Sequence, residues 1–294
     1  MKTAPFTGSA VALITPFTES GVDYKKLDEL IEFHIANKTD AIVVCGTTGE
    51  CSTMPDEEHT AVIAYAVKTV AGRVPVIAGT GSNDTAHAIK LCKFAEEAGC
   101  DGLLVVTPYY NKTTQKGLKE YYEAIANSVN LPIILYNIPG RTGLGISLET
   151  FKYLAKIPNI VGVKEATGDL GFAAKIASET DLILYSGNDD IIVPIMSLGG
   201  KGVISVLANI LPEETHNICA EFEAGNIEKS REEFLKYLKL INTLFIEVNP
   251  IPIKTAMNLL GYEVGALRAP LCDMEPQTLE ILKAELTKVG LEIK

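Results

Sequence analysis

Lys164 is the residue of this chain best placed for covalent chemistry, because it closes the apolar run Ile160–Val161–Gly162–Val163. A free lysine has a pKa of about 10.4, so only about one molecule in a few thousand carries a neutral amine at pH 7. Packing the stem at the end of a buried strand disfavours the charge and lowers that value. Such an amine attacks carbonyls and forms Schiff bases. The competing structural reading is an ion pair with the adjacent Glu165. Tyr136 ends the preceding apolar run. Its phenol is expected near the amine, where it would give and accept the protons that carbinolamine formation and dehydration require. The loop Gly46–Thr47–Thr48–Gly49–Glu50 offers consecutive backbone N–H groups of the kind that nest around a carboxylate.

Other chemistries fit less well. Gly79–Thr80–Gly81 has neither the GxGxxG dinucleotide pattern nor a Walker lysine. The histidines at 34, 59, 87 and 216 are scattered without metal-ligand spacing, and the six cysteines form no CxxC pair. No metal is implied. A formal net charge of −11 argues against nucleic acid, since nothing here would neutralise a phosphate backbone. The apolar run Ala10–Ile14 is short and bracketed by prolines, a poor signal-peptide core. No stretch approaches the roughly 20 apolar residues of a membrane span. Together with cysteines read as small hydrophobes, these features predict a soluble protein of a reducing cytoplasm.

The elements that must position Lys164 recur along the chain. Apolar, β-branched runs occupy Ala10–Ile14, Ala41–Cys45, Val74–Ala78, Gly102–Val106, Pro132–Tyr136, Ile160–Lys164, Leu182–Tyr185 and Gly202–Val206. Each is followed by a polar loop and an amphipathic helical segment. Continuous rather than alternating hydrophobicity is what strands of a parallel sheet covered on both faces should show. Eight such units favour an α/β fold of the (β/α)8 barrel type over an open doubly wound sheet. The predicted barrel covers residues 1–225. From residue 226 onward Ser230–Leu244, Ile253–Leu260 and Pro276–Val289 read as helices, a C-terminal helical domain spanning 226–294. Residues 246–252, with two prolines, read as a turn between its first two helices. In such a barrel the active site lies where the strands end. Those ends bring Thr47, Thr48, Tyr109, Tyr110, Tyr136, Lys164, Gly187 and Ser205 to one mouth.

Gly46–Thr47–Thr48–Gly49–Glu50, Leu135–Tyr136–Asn137–Ile138–Pro139–Gly140–Arg141–Thr142–Gly143 and Val161–Gly162–Val163–Lys164 resemble, in order and spacing, the pyruvate-dependent class I aldolase and N-acetylneuraminate lyase superfamily. The second threonine of the first motif, the Thr107–Asn111 loop and Arg141 resemble its dihydrodipicolinate synthase branch. The resemblance implies that Lys164 binds pyruvate as a Schiff base, while Tyr136 relays protons with Thr47 and with Tyr110 of a neighbouring subunit. Thr48 and its loop would hold the pyruvate carboxylate. Arg141 would pair with the carboxylate of aspartate semialdehyde, and Gly187 and Ile204 would shape the pocket. It further implies a homotetramer built as a dimer of dimers, with no separate cofactor. The alternative of a sugar-acid lyase leaves Arg141 with less to do, and a non-catalytic keto-acid binder needs no imine. Synthases of this branch that lysine inhibits usually carry a histidine where Asp56 stands and a carboxylate where His87 stands. The departure at both positions predicts weak or absent inhibition by lysine.

Overall fold

The computed structural model describes residues 2–294. Eight parallel strands close on themselves: β1 (Gly8–Ala12), β2 (Ala41–Val44), β3 (Val76–Gly79), β4 (Gly102–Val106), β5 (Ile133–Asn137), β6 (Ile160–Glu165), β7 (Ile183–Ser186) and β8 (Gly202–Ser205), with β8 pairing back to β1. All eight apolar runs are strands, each within about two residues of its expected bounds. Helices α1 (Tyr24–Ala36), α2 (Asp56–Val70), α3 (Thr85–Ala98), α4 (Gln115–Ala126), α5 (Leu148–Leu154), α6 (Leu170–Glu179), α7 (Ile192–Ser197) and α8 (Pro212–Glu223) alternate with them. The fold is a (β/α)8 barrel.

Local sequence explains the helix starts. The side chains of Asp23, Asp84, Thr114, Ser147 and Asp169 each accept a first-turn N–H, which satisfies donors that no helical carbonyl can reach. Pro55 opens α2, and Asp56, Glu57 and Glu58 fill its first turn, where the helix dipole favours negative charge.

Two apolar layers result. The inner one fills the barrel with Ala10, Ala12, Ala41, Val43, Ile77, Leu104, Ile134, Tyr136, Tyr185 and Ile204. The outer one joins the opposite strand faces to the helices. Pairing between β5 and β6 shifts register after Ile133, so Ile134 faces Gly162 and Tyr136 faces Lys164. One extra residue in a strand reverses which face each later side chain takes. This irregularity puts Lys164 on the same side as Ile134 and Tyr136, toward the barrel interior.

Three more helices follow: α9 (Ile227–Thr243), α10 (Ile251–Leu259) and α11 (Pro276–Lys288). The expected turn lies between α9 and α10 and touches the barrel mouth.

Candidate active site

Lys164 is only 7% exposed. Its Nζ lies 4.3 Å from the centroid of the Tyr136 ring, a cation–π distance. The expectation had the phenol beside the amine, whereas here the ring face meets it. Tyr185 flanks Lys164 on the other side in strand register. It is held by a bond from its hydroxyl to the Phe6 carbonyl (2.7 Å) and by stacking on the Phe6 ring. The Glu165 ion pair does not form. Glu165 points the opposite way, accepting from Asn137 Nδ2 and the Thr167 N–H at 2.7 Å each, and burial raises its pKa. Among the described residues no carboxylate lies within salt-bridge distance of Lys164.

The Gly46–Glu50 loop leaves β2 through Cys45, whose φ is 55°, and ends at Glu50, whose φ is 56°. Inside it the Gly49 N–H donates to Gly46 O and the Glu50 N–H to Thr47 O. The N–H groups of Thr47 and Thr48 between them have no partner among the described residues. Two adjacent amides of this kind form an anion cradle. Thr48 is buried, and its Oγ1 accepts from Asn249 Nδ2 at 3.0 Å.

Glu50 does something the motif did not announce. Its Oε1 lies 2.6 Å from Lys254 Nζ, and its Oε2 accepts the Arg268 N–H at 2.9 Å. Lys254 also donates to Thr15 O at 3.1 Å. The Phe17 ring is sandwiched between Lys254 Nζ at 4.2 Å and Arg268 Cζ at 3.8 Å. Helix α10 and the segment that follows it thereby clamp the end of the loop.

Arg141 lies in the short helix Pro139–Thr142 after β5, with an exposed side chain. One guanidinium nitrogen donates to Asn249 O at 2.9 Å; the others remain for a carboxylate, which the planar fork suits. Gly187 follows β7, and a Cβ there would stand 2.5 Å from the Ala166 Cβ and 2.8 Å from Glu165 O. Ile204 lies in the inner layer near Tyr136. Tyr110 is different: it is 92% exposed at a φ of 65°, projecting outward rather than joining the other groups.

Some strand-end residues turn out to be structural. Ser205 accepts the Ala208 N–H, and Thr107 Oγ1 donates to Thr142 Oγ1. Gly79 is a close-approach residue, since a Cβ there would sit 2.2 Å from Cys45 O. His34 and His59 are buried, His34 Nδ1 lying 3.0 Å from Thr39 Oγ1 and His59 Nε2 2.9 Å from Gly79 O. Burial pushes His34 down to about 3. All six cysteines are free, and burial raises Cys51 and Cys92 to about 11. Asp56 is engaged by His87 Nε2 at 2.8 Å and Lys90 Nζ at 2.7 Å. No described helix is long and apolar enough to cross a membrane.

Three groups were missed from sequence: Asn249, Lys254 and Asp189. The Asp189 carboxylate receives the N–H groups of Val206 and Leu207 just past β8, and burial raises its pKa. The only sequence signal was polarity in an apolar setting: Asn249 in the proline-bearing turn before α10 and Lys254 inside that helix.

The profile of the Dihydrodipicolinate synthetase family matches residues 5–289. The 4-hydroxy-tetrahydrodipicolinate synthase of Acetivibrio thermocellus is 59% identical over 292 residues, covering 99% of this chain and 100% of that protein. The protein of the same name from Caldicellulosiruptor bescii is 58% identical over 291 residues, 98% of this chain and 99% of the relative. The crystal structure of dihydrodipicolinate synthase from Aquifex aeolicus superposes with a TM-score of 0.96 at 47% identity, covering 98% of this chain and 100% of that one. The family profile over residues 5–289, the identity along nearly the whole length and the shared fold lead to one assignment: the chain belongs to the dihydrodipicolinate synthetase family.

Proposed function

We infer that this chain is a Schiff-base-forming lyase that catalyses the 4-hydroxy-tetrahydrodipicolinate synthase reaction, condensing pyruvate with L-aspartate 4-semialdehyde in lysine and diaminopimelate biosynthesis. The observation that carries this reading is a buried amine at the barrel mouth, over a tyrosine ring and without a carboxylate partner.

The surroundings of each residue support the role that the resemblance implies for it. Pyruvate's carboxylate sits on the free amides of Thr47 and Thr48. Lys164 Nζ adds to the C2 carbonyl, and Tyr136 delivers a proton to the departing oxygen, which leaves as water. Loss of a C3 proton from the imine gives the enamine. Its C3 attacks the aldehyde carbon, forming the carbon–carbon bond while the aldehyde oxygen takes up a proton. Arg141 holds the carboxylate of the semialdehyde. That substrate's amine then adds to C2, and Lys164 leaves as the free amine, closing the ring. Gly187 and Ile204 limit the width of the pocket around C2 and C3.

Tyr136 regains the proton it gives up through Thr47, from Tyr110 of the partner subunit. The reach of Tyr110 away from its own subunit supports that role and a homotetramer assembled as a dimer of dimers. Residues 226–294 serve as a helical domain bracing the catalytic barrel of 1–225. The absence of any described membrane-crossing helix and a biosynthetic reaction among small metabolites support a cytoplasmic enzyme.

Pyruvate consumption with aspartate semialdehyde, coupled to NADPH oxidation by added dihydrodipicolinate reductase, tests the reading directly. Turnover is expected. Its absence, with pyruvate still trapped on Lys164 by borohydride, would retain the imine chemistry and reject the semialdehyde as second substrate.

A further inference from the structure

We propose that Asn249 is a positioning residue that ties the two substrate subsites together from outside the barrel, a proposal that rests on the functional reading above. Asn249 stands in the turn between α9 and α10 and is only 6% exposed. Its side chain and its main chain do different work. The side-chain Nδ2 donates to Thr48 Oγ1 at 3.0 Å, across 201 residues of sequence. The main-chain carbonyl accepts from Arg141 at 2.9 Å. One residue of the helical extension thus touches both the pyruvate loop and the arginine reserved for the second carboxylate.

The segment around it is anchored independently. Pro250 O receives the Lys254 N–H, and Lys254 Nζ is paired with Glu50 at the far end of the same loop. Asn249 therefore presses on Thr48 from a fixed base. Asn249 Oδ1 is buried without a partner. Burying an unpaired acceptor costs stability, so the amide is retained at that cost, with its donor end on Thr48.

The geometry implies a division of labour. Nδ2 orients the Thr48 hydroxyl and so the adjacent amides on which pyruvate's carboxylate rests. The main-chain carbonyl aims the guanidinium of Arg141 and does not depend on the side chain. A side-chain substitution should impair pyruvate and leave the semialdehyde limb intact.

The test is the pyruvate concentration that half-saturates borohydride trapping on Lys164, a readout that needs no second substrate. It therefore stands or falls separately from the synthase reading. Asn249→Ala should raise that concentration about tenfold, the worth of one buried hydrogen bond to a substrate-holding group. The KM for aspartate semialdehyde should stay within about twofold. Thr48→Val should show the same pyruvate defect, and the double variant should be no worse than either single one, because both remove one interaction. Should the alanine variant not fold, Asn249→Asp keeps the volume but removes the donor and adds an anion beside the cradle. It should trap pyruvate poorly near pH 7 and improve as the pH falls and the new carboxyl protonates, which a packing role would not produce. Wild-type half-saturation in Asn249→Ala or Asn249→Asp would overturn the proposal, as would full multiplication of the two single defects in the double variant.

Discussion

Two lysines buried at the mouth of the same barrel have opposite surroundings. Lys254 is 1% exposed and sits against the Glu50 carboxylate at 2.6 Å, with Thr15 O at 3.1 Å. Lys164, similarly hidden, lies over a tyrosine ring, with no carboxylate among the described residues within salt-bridge distance and the charge of Asp189 felt only from farther off. Burial lowers the pKa of Lys254 while Glu50 opposes that shift. The difference teaches that burial alone does not mark a reactive amine. A buried lysine paired with a buried anion serves as a clamp, and the one without such a pair is the one proposed to meet a carbonyl. His34 shows a third solution, since burial keeps it neutral.

The comparison is most sharply tested at Lys164. Lys164→Ala should lower kcat by about ten-thousandfold or more, because no other amine reaches the pyruvate carbonyl. Intact-protein mass after borohydride should lose the pyruvate adduct. An adduct persisting in the variant would break the contrast outright.

Lys254→Met attacks the other side. It strands the Glu50 carboxylate in the interior, and losing one partner of a buried pair costs about 3–5 kcal/mol. Urea unfolding should show that loss, and Glu50→Gln added to Lys254→Met should return much of it. If the double variant is less stable than the single, the pair is not what holds the clamp. Arg141→Ala should spare pyruvate trapping and raise the KM for aspartate semialdehyde by about a hundredfold, corresponding to a lost charge-assisted contact of about 2–3 kcal/mol. An equal rise for both substrates would place Arg141 elsewhere in the reaction.

The neutral histidine yields a pH effect of known sign. His34 titrates near 6.5 when exposed and at about 3 in the fold. The unfolded chain therefore binds the extra proton first. Stability is fully present above pH 6.5 and declines as the pH falls toward 3. Between pH 7 and pH 5 this amounts to about 2 kcal/mol, with His59, lowered mainly by burial, acting in the same direction. Chemical denaturation at the two pH values, with His34→Leu as the comparison, measures it; an unchanged slope in the variant would dismiss His34 as the cause. The smallest expected effect concerns lysine. Asp56 is already engaged by His87 and Lys90, and adding lysine should barely change the rate. Strong inhibition at low lysine concentration would refute that.

The eight apolar runs located the strands, because strands covered on both faces need unbroken hydrophobic sequence; they favoured a closed barrel over an open sheet, and the family resemblance decided between them. The resemblance of three motifs then named Lys164, Tyr136, Thr47, Thr48 and Arg141 by position. Their surroundings were another matter. Sequence left Lys164 with Glu165 as a plausible partner, and strand pleating alone sends those neighbours to opposite faces. Which of the two faces inward depends on the register shift between β5 and β6, set by how the closed barrel packs. Glu50 looked like part of an anion loop, but its partners Lys254 and Arg268 lie more than 200 residues away. Asn249 was legible only as part of a turn. Composition, periodicity and motif spacing determine which strands form and which side chains arrive at the mouth, since those depend on local pattern. Which amine is paired, which amides stay free and what braces them are decided only when segments distant in sequence meet.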